Sequence, residues 1–388
     1  MRLFKRLGAL ALVGTILLMT GCSQVKGAAI QLGMAESPYY HLGDTEWEHG
    51  GVEEYYFNQI PSEFNEIYRE LYSRLSNYED SGDLYAQVDV EDFWDIYYAV
   101  LADHPEFFWI GTNIEVKQAS LTGKAVGYSI ETTVPKEERD SMKAQLEEAA
   151  DACIAKIPEG SSDYGKIKSV YEYIINKVEY DTDAPQNQNI QSVLLGDASV
   201  CAGYSKAFQY ILHRMGMFCT YITGRIEGGG DHGWNVVRID GNYYNVDVTW
   251  GDPVFAGSEE DREDNVTNYN YLCCTDSDLL KTHIPDISVP VPVCDVDGYN
   301  YYKWNGMYYD TFDRDTIHEA LMNSVWNGEN HITMKFGSWE GYESAKYELF
   351  ENGLIQDPAQ YLMSVNGAST WNYRYNVDDD FNLITIYW

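Results

Sequence analysis

Three residues in one order could carry covalent chemistry: Cys201 in SVCAGYS (199–205), His232 in DHGWN (231–235) and Asp247 in NVDVTW (245–250). A thiol becomes a useful nucleophile when a base takes its proton and later returns it to a leaving group. The base in turn needs a carboxylate to fix its tautomer and support its cation. Taken singly, each residue has a bland reading: a core thiol, a polar strand position, a cap or turn. Their chemistry depends on the elements that position them.

The first element is a helix. Tyr204, Ala207, Phe208, Ile211, Leu212 and Met215 recur at helical spacing and make one apolar face, and Gly216 suits the position just past the end. Cys201 falls one turn before Tyr204, at the helix start. A thiol there meets first-turn amides and the positive end of the helix dipole, which favour thiolate. The same amides could stabilise an oxyanion, and Ala202 and Gly203 leave room for a carbonyl to approach.

The second element is a hairpin. HGWNVVRI (232–239) and YYNVDVTW (243–250) flank Asp240-Gly241, a strong two-residue turn signal. That turn sets His232 opposite Thr249 and Trp234 opposite Asp247, with all four on one face. His232 and Asp247 are then diagonal neighbours within reach of a hydrogen bond. A three-residue turn would put them on opposite faces. Asp252 is a second carboxylate nearby, more naturally read as part of the Gly251-Asp252-Pro253 turn.

The whole chain has 388 residues, enough for two or three domains, and a formal charge of −35. That balance disfavours nucleic-acid binding, which needs basic patches. It suits a soluble surface-exposed protein. The 33 tyrosines against 13 phenylalanines point to amphipathic packing, with a glycan- or peptide-binding surface as the sharper alternative. MRLFKR and the apolar run after it read as an export leader ending in Met19-Thr20-Gly21-Cys22. Small residues before a cysteine resemble a bacterial lipobox. The expectation is that Cys22 is lipidated and tethers an exported protein to the outer face of the bacterial cell membrane. No other stretch approaches 18 apolar residues.

Residues 23–50 read as a tether. Helices are predicted from Ser62 and over 91–102, and strands within 106–134, giving an N-terminal α+β domain over 51–134. Helices after Pro135 and over 165–180 open a core over 135–288. A C-terminal α+β domain covers 289–388 and ends in a hairpin. Cys153 and Cys219 read as core. With no CxxC pair, zinc ligation is not expected, and no metal or cofactor is required by the chemistry. Asp295-Val296-Asp297-Gly298 has the look of a calcium loop but lacks the glutamate that should follow. His104 reads as a helix stop, His213 as an exposed helix position, and His283 and His318 as residues without sequence-local partners.

GDASVCAGYSKAFQYILHRMGMFCTYITG followed by DHGWNVVRIDGNYYNVDVTWGDP resembles the core of the transglutaminase-like superfamily, a rearranged relative of papain-like cysteine proteases. The resemblance covers about residues 165–255, and NYNYLCCTD extends it to about 285. Flanking segments such as ADHPEFFWI are similar to arms of exported bacterial members. The resemblance implies an α+β fold in which a cysteine at a helix N-terminus packs on an antiparallel sheet carrying histidine and aspartate. It implies the triad Cys201, His232 and Asp247, with Tyr204, Trp234 and Trp250 shaping the site and Gln191 as a side-chain oxyanion donor. It further implies acyl transfer from peptide or protein amides, free of any cofactor, ending in hydrolysis as a peptidase or amidase or, less favoured, in transamidation, with cell-envelope material as one substrate class. The alternative is a surface binding module whose core is inactive or weakly used.

Overall fold

The computed structural model describes residues 29, 52–252, 267–286 and 290–388. The leader, Cys22 and most of the tether lie outside the described residues. Among those described, no helix is long and apolar enough to cross a membrane.

The N-terminal part runs α1 (Tyr55–Gln59), α2 (Asn65–Ser76), β1 (Ser81–Val88), α3 (Val90–Asp103), β2 (Ile110–Gln118) and β3 (Ala125–Thr132). Its antiparallel sheet has the order β1-β3-β2. Then come α4 (Arg139–Ile154), α5 (Asp163–Lys177), the short α6 (Ile190–Leu194) and α7 (Cys201–Arg214). The heart of the molecule is a five-stranded sheet built from β4 (Cys219–Ile226), β5 (Asp231–Ile239), β6 (Asn242–Val246), β7 (Leu272–Cys274) and β8 (His283–Pro285). Its order is β8-β4-β5-β6-β7, antiparallel throughout. A one-turn helix, α8 (Val248–Gly251), follows β6.

The apolar repeat of α7 does what its spacing implies. Tyr204, Ala207, Phe208, Ile211 and Leu212 are buried. Gly216 closes the helix at φ 71°, with its amide on His213 and that of Met217 on Leu212, the paired bonds of a Schellman end. One apolar cluster runs from Phe57 to Cys273, so the N-terminal helices and sheet pack continuously with α5, α7 and one face of the central sheet. On the other side Trp234, Val236 and Ile222 join Phe381 from the C-terminal part.

That C-terminal part comprises β9 (Tyr308–Tyr309), α9 (Arg314–Trp326), β10 (His331–Phe336), α10 (Trp339–Lys346), α11 (Gln356–Asn366), β11 (Arg374–Asp378) and β12 (Leu383–Tyr387). Its sheet order is β9-β10-β12-β11, over a cluster that includes Ile317, Leu321, Met334 and Ile384. The terminal hairpin forms as its pattern implies. The helix α11 is an addition to the sequence reading.

Candidate active site

The β5–β6 hairpin turns through Asp240 and Gly241, both at positive φ (50° and 81°), as a two-residue turn of the primed type requires. Asn235 lies opposite Val246 and Ile239 opposite Asn242, the register that turn dictates. The predicted strand is nevertheless too long. Pairing stops at Val246, because the Asp247 side chain caps α8: its Oδ1 accepts from the amides of Thr249 (2.9 Å) and Trp250 (3.1 Å). His232 therefore does not face Thr249 across a ladder. Asp247 still meets His232, as the last strand-like residue before the chain coils.

His232 Nε2 donates to Asp247 Oδ2 at 2.7 Å. A carboxylate only accepts, so Nε2 carries a proton and Nδ1 is the ring nitrogen left for the thiol. Cys201 is within hydrogen-bonding reach of this ring. Two bonds clamp the start of α7 to β5: the Ser205 hydroxyl donates to the Gly233 carbonyl (2.8 Å), and the Asn235 amide donates to the Ser205 carbonyl (3.1 Å). The first-turn amides of a helix have no intrahelical acceptor, and in α7 the Val200 side chain does not cap them.

The six described cysteines are free thiols. Cys201 is the one that is not buried, and it opens on a cleft of about 850 Å³. Burial pushes the Cys153 thiol up to about 12 and drives those of Cys219, Cys273, Cys274 and Cys294 well up too. Burial would lower the basicity of His232, but the charge and hydrogen bond of Asp247, together with Cys201, override it and raise the ring to about 10. Asp247 is fully buried. That alone would raise its carboxyl, yet the two histidines bonded to it hold the carboxyl well below the ordinary range.

The second of those histidines is His283, which the sequence reading left without a partner. Its Nε2 donates to the same Asp247 Oδ2 at 2.9 Å, and its Nδ1 is 2.8 Å from the Thr282 hydroxyl. Among the described residues, His232, Asp247 and His283 are the group whose donor atoms lie close enough to hold a metal ion. The 2.7 and 2.9 Å separations are those of shared protons, and the carboxylate already accepts four N–H groups. Hydrogen bonding accounts for the cluster.

The remaining candidates are placed differently from the expectation. The Gln191 amide donates to the Phe108 carbonyl (3.0 Å) in the interior, away from the cleft, and is therefore not aimed at an oxyanion. Tyr204 is fully buried, with its hydroxyl between Val178 O (3.0 Å) and the Asp252 carboxylate (2.8 Å). It holds Asp252, itself buried, instead of lining the cleft. Trp234 is also fully buried, its ring 6.3 Å from His232 at a 20° interplanar angle, so it braces the imidazole and has no surface for substrate. Trp250 is half-buried and packs edge-on to His232 (6.4 Å) and against His283 (5.2 Å). The space beside Gly203 is not open to substrate: a Cβ there would sit 2.0 Å from Ser199 Oγ and 2.8 Å from the Asn187 carbonyl. His104 and His213 are drawn in as well. His104 is buried against Tyr68 (3.2 Å) and Glu106 (3.0 Å), and His213 donates to the Cys219 carbonyl (2.7 Å).

One residue at the cleft escaped the sequence reading. Lys206, five positions after Cys201, lines the cleft, donates to the Gln188 carbonyl (3.0 Å) and lies over the Tyr221 ring. Burial lowers its ammonium to about 8 against a raising contribution from Cys201.

Residues 152–248 match the family model described as the transglutaminase-like superfamily. The chain is 25% identical over 201 residues to the Kyphoscoliosis peptidase of Mus musculus and 27% identical over 208 residues to that of Homo sapiens. Each match covers 46% of this chain and 30% of the relative, so the chain spans less than a third of the length of these relatives. A solved structure described as a TGase is 14% identical, with a TM-score of 0.26, over 44% of this chain and 50% of that one.

Proposed function

We propose that this chain, which carries a transglutaminase-like domain over residues 152–248, is a cysteine-dependent acyl-transfer enzyme acting on peptide or protein amides. The observation that carries the reading is a thiol at a helix start, the one partly accessible among the described residues, beside an imidazole whose far nitrogen is held by a buried carboxylate at 2.7 Å. Cys201 Sγ attacks the amide carbonyl carbon, and first-turn amides of α7 receive the developing oxyanion. His232, as imidazolium, gives its proton to the leaving amine as the C–N bond breaks, leaving a thioester on Cys201. A water or a second amine then attacks the thioester carbonyl while His232 takes the incoming proton. The thiolate departs, and the product is an acid or a new amide.

Hydrolysis is the favoured direction, because the cleft is open to water and carries Asp231, Asp286 and Gln188 at its polar rim. The peptidase relatives support the same direction. The leader ending at Cys22 supports export and lipid tethering to a cell membrane, which would bring envelope proteins within reach. The test incubates the chain and Cys201→Ala with a glutamine-rich protein and a fluorescent primary amine. New peptide termini or deamidation, absent in the variant, establish hydrolysis; amine incorporation establishes transamidation. If neither product forms and Cys201 alkylates like an ordinary thiol, the enzyme reading falls and a surface binding module replaces it.

A further inference from the structure

We infer that His283 is a positioning residue for acyl transfer, a second imidazole that shares Asp247 Oδ2 with His232 and so sets how tightly the carboxylate grips the His232 cation. The inference rests on the cysteine-enzyme reading above, and it concerns a residue that never meets substrate. His283 is buried and does not line the cleft. Its ring is enclosed by His232 (5.1 Å), Trp234 (5.2 Å), Trp250 (5.2 Å) and Tyr271 (5.6 Å).

Strand pairing brings it there. β8 runs antiparallel to β4 with His283 opposite Ile226 and Pro285 opposite Gly224, and Gly224 lies opposite His232 on β5. Only a glycine fits between: a Cβ at 224 would sit 2.4 Å from the Ile284 carbonyl and 2.8 Å from the Trp234 ring. Both ring nitrogens of His283 are engaged, Nδ1 with Thr282 Oγ1 and Nε2 with Asp247 Oδ2. Asp247 thus accepts from two imidazoles on Oδ2 and from two backbone amides on Oδ1.

This division of labour decides what His283 does. The amides of Thr249 and Trp250 already fix the carboxylate in place, so losing His283 does not free Asp247 to swing away. It removes a competing donor instead. Asp247 then becomes a stronger acceptor for His232, and the imidazolium holds its proton harder just when the leaving amine needs it. Among the described residues, the other titratable groups that feel Asp247 include Tyr171 from α5, Tyr180 and Tyr271, with Cys201 beyond His232. The tyrosines stay neutral across the working range because burial and the Asp247 charge push them up.

The experiment follows Cys201 alkylation by iodoacetamide and amide turnover against pH in the full chain, in His283→Phe and in His283→Gln. Phenylalanine keeps the ring volume without a donor; glutamine returns an N–H near the Nε2 position. A hydrogen bond to a charged acceptor shifts an equilibrium about ten-fold or more. In His283→Phe the basic limb of both profiles should therefore rise by about one pH unit. The turnover number should fall by about ten-fold with KM little changed, and His283→Gln should recover most of both. A basic limb that stays put or moves down in His283→Phe overturns the inference and leaves the enzyme reading standing. A single ordinary thiol titration in the unmodified chain sinks both. Should the phenylalanine variant not fold, NMR of the unmodified chain with isotope-labelled histidine decides: two downfield Nε2–H protons support the shared carboxylate, and a His283 without one overturns it.

Discussion

Replacing Asp247 by asparagine tests the site most sharply, because it changes charge and hydrogen-bond polarity at constant shape. The asparagine carbonyl can keep the Thr249 and Trp250 amides. Its NH₂ group then faces two imidazole N–H groups, donor against donor. His232 escapes by moving its proton to Nδ1, which turns an N–H toward Cys201 and ends its service as a base. The electrostatic cost follows from the ring itself, which is raised from 6.5 to about 10. At ~1.4 kcal/mol per pH unit, the imidazolium loses up to about 5 kcal/mol of support. Burial, now opposed by Cys201 alone, pulls its basicity down. Turnover should fall by about 10²- to 10⁴-fold, the upper figure being that of the equivalent change in a serine protease triad. The assay pairs steady-state hydrolysis with the pH dependence of Cys201 alkylation and an NMR titration of His232. A variant in which His232 still titrates near its original range, or which keeps more than about a tenth of the alkylation rate at neutral pH, would refute the reasoning.

Gln191→Leu should cost about 0.5–1.5 kcal/mol in denaturant unfolding, because it removes the shorter of two hydrogen bonds to the Phe108 carbonyl and leaves the Thr133 hydroxyl (3.3 Å) as its donor, while turnover per folded molecule stays the same. An oxyanion donor would instead cost about 10²-fold or more in the turnover number. Tyr204→Phe should likewise destabilise by about 1–3 kcal/mol, because it removes a hydroxyl held between Val178 O and the buried Asp252 carboxylate; urea melts measure it. The pH dependence of stability has a definite sign. The raised His232 contributes stability that is complete below pH ~6.5 and disappears as pH climbs through about 10. The depressed Asp247 contributes stability that is present above pH ~4 and declines in acid. Unfolding free energies across that range should form a plateau falling at both ends, and Asp247→Asn should flatten both falls.

Local rules carried the sequence reading a long way. The periodicity of 204–215 fixed which face of α7 is buried, and Asp240-Gly241 fixed the hairpin register that brings His232 and Asp247 together. What spacing could not tell was where polar groups find partners across the fold. Gln191 bonds to a carbonyl 83 positions away, and Tyr204 reaches Asp252 across 48. Read locally, both look like residues facing a substrate. In three dimensions each satisfies a buried group, which is why neither lines the cleft. The strand that should have run to Trp250 failed for a related reason. Asp247 is both the end of a strand and the cap of a helical turn, and capping takes the backbone off the ladder.

His283 shows how far such reasoning could have gone. A carboxylate buried to 0% exposure needs nearly all of its acceptor sites filled, since each unmet one costs about 1–3 kcal/mol. Around Asp247 the sequence offers His232 and, once the cap is recognised, two backbone amides. That leaves Oδ2 with one donor and room for a second. The accounting therefore demands another N–H or O–H from elsewhere in the chain, and the demand stands whichever residue meets it. Spacing cannot name that residue, because the order in which β8, β4 and β5 pair decides it, and His283 lies 36 positions downstream. A buried charge in a candidate site thus predicts the number of its partners before it predicts their identity.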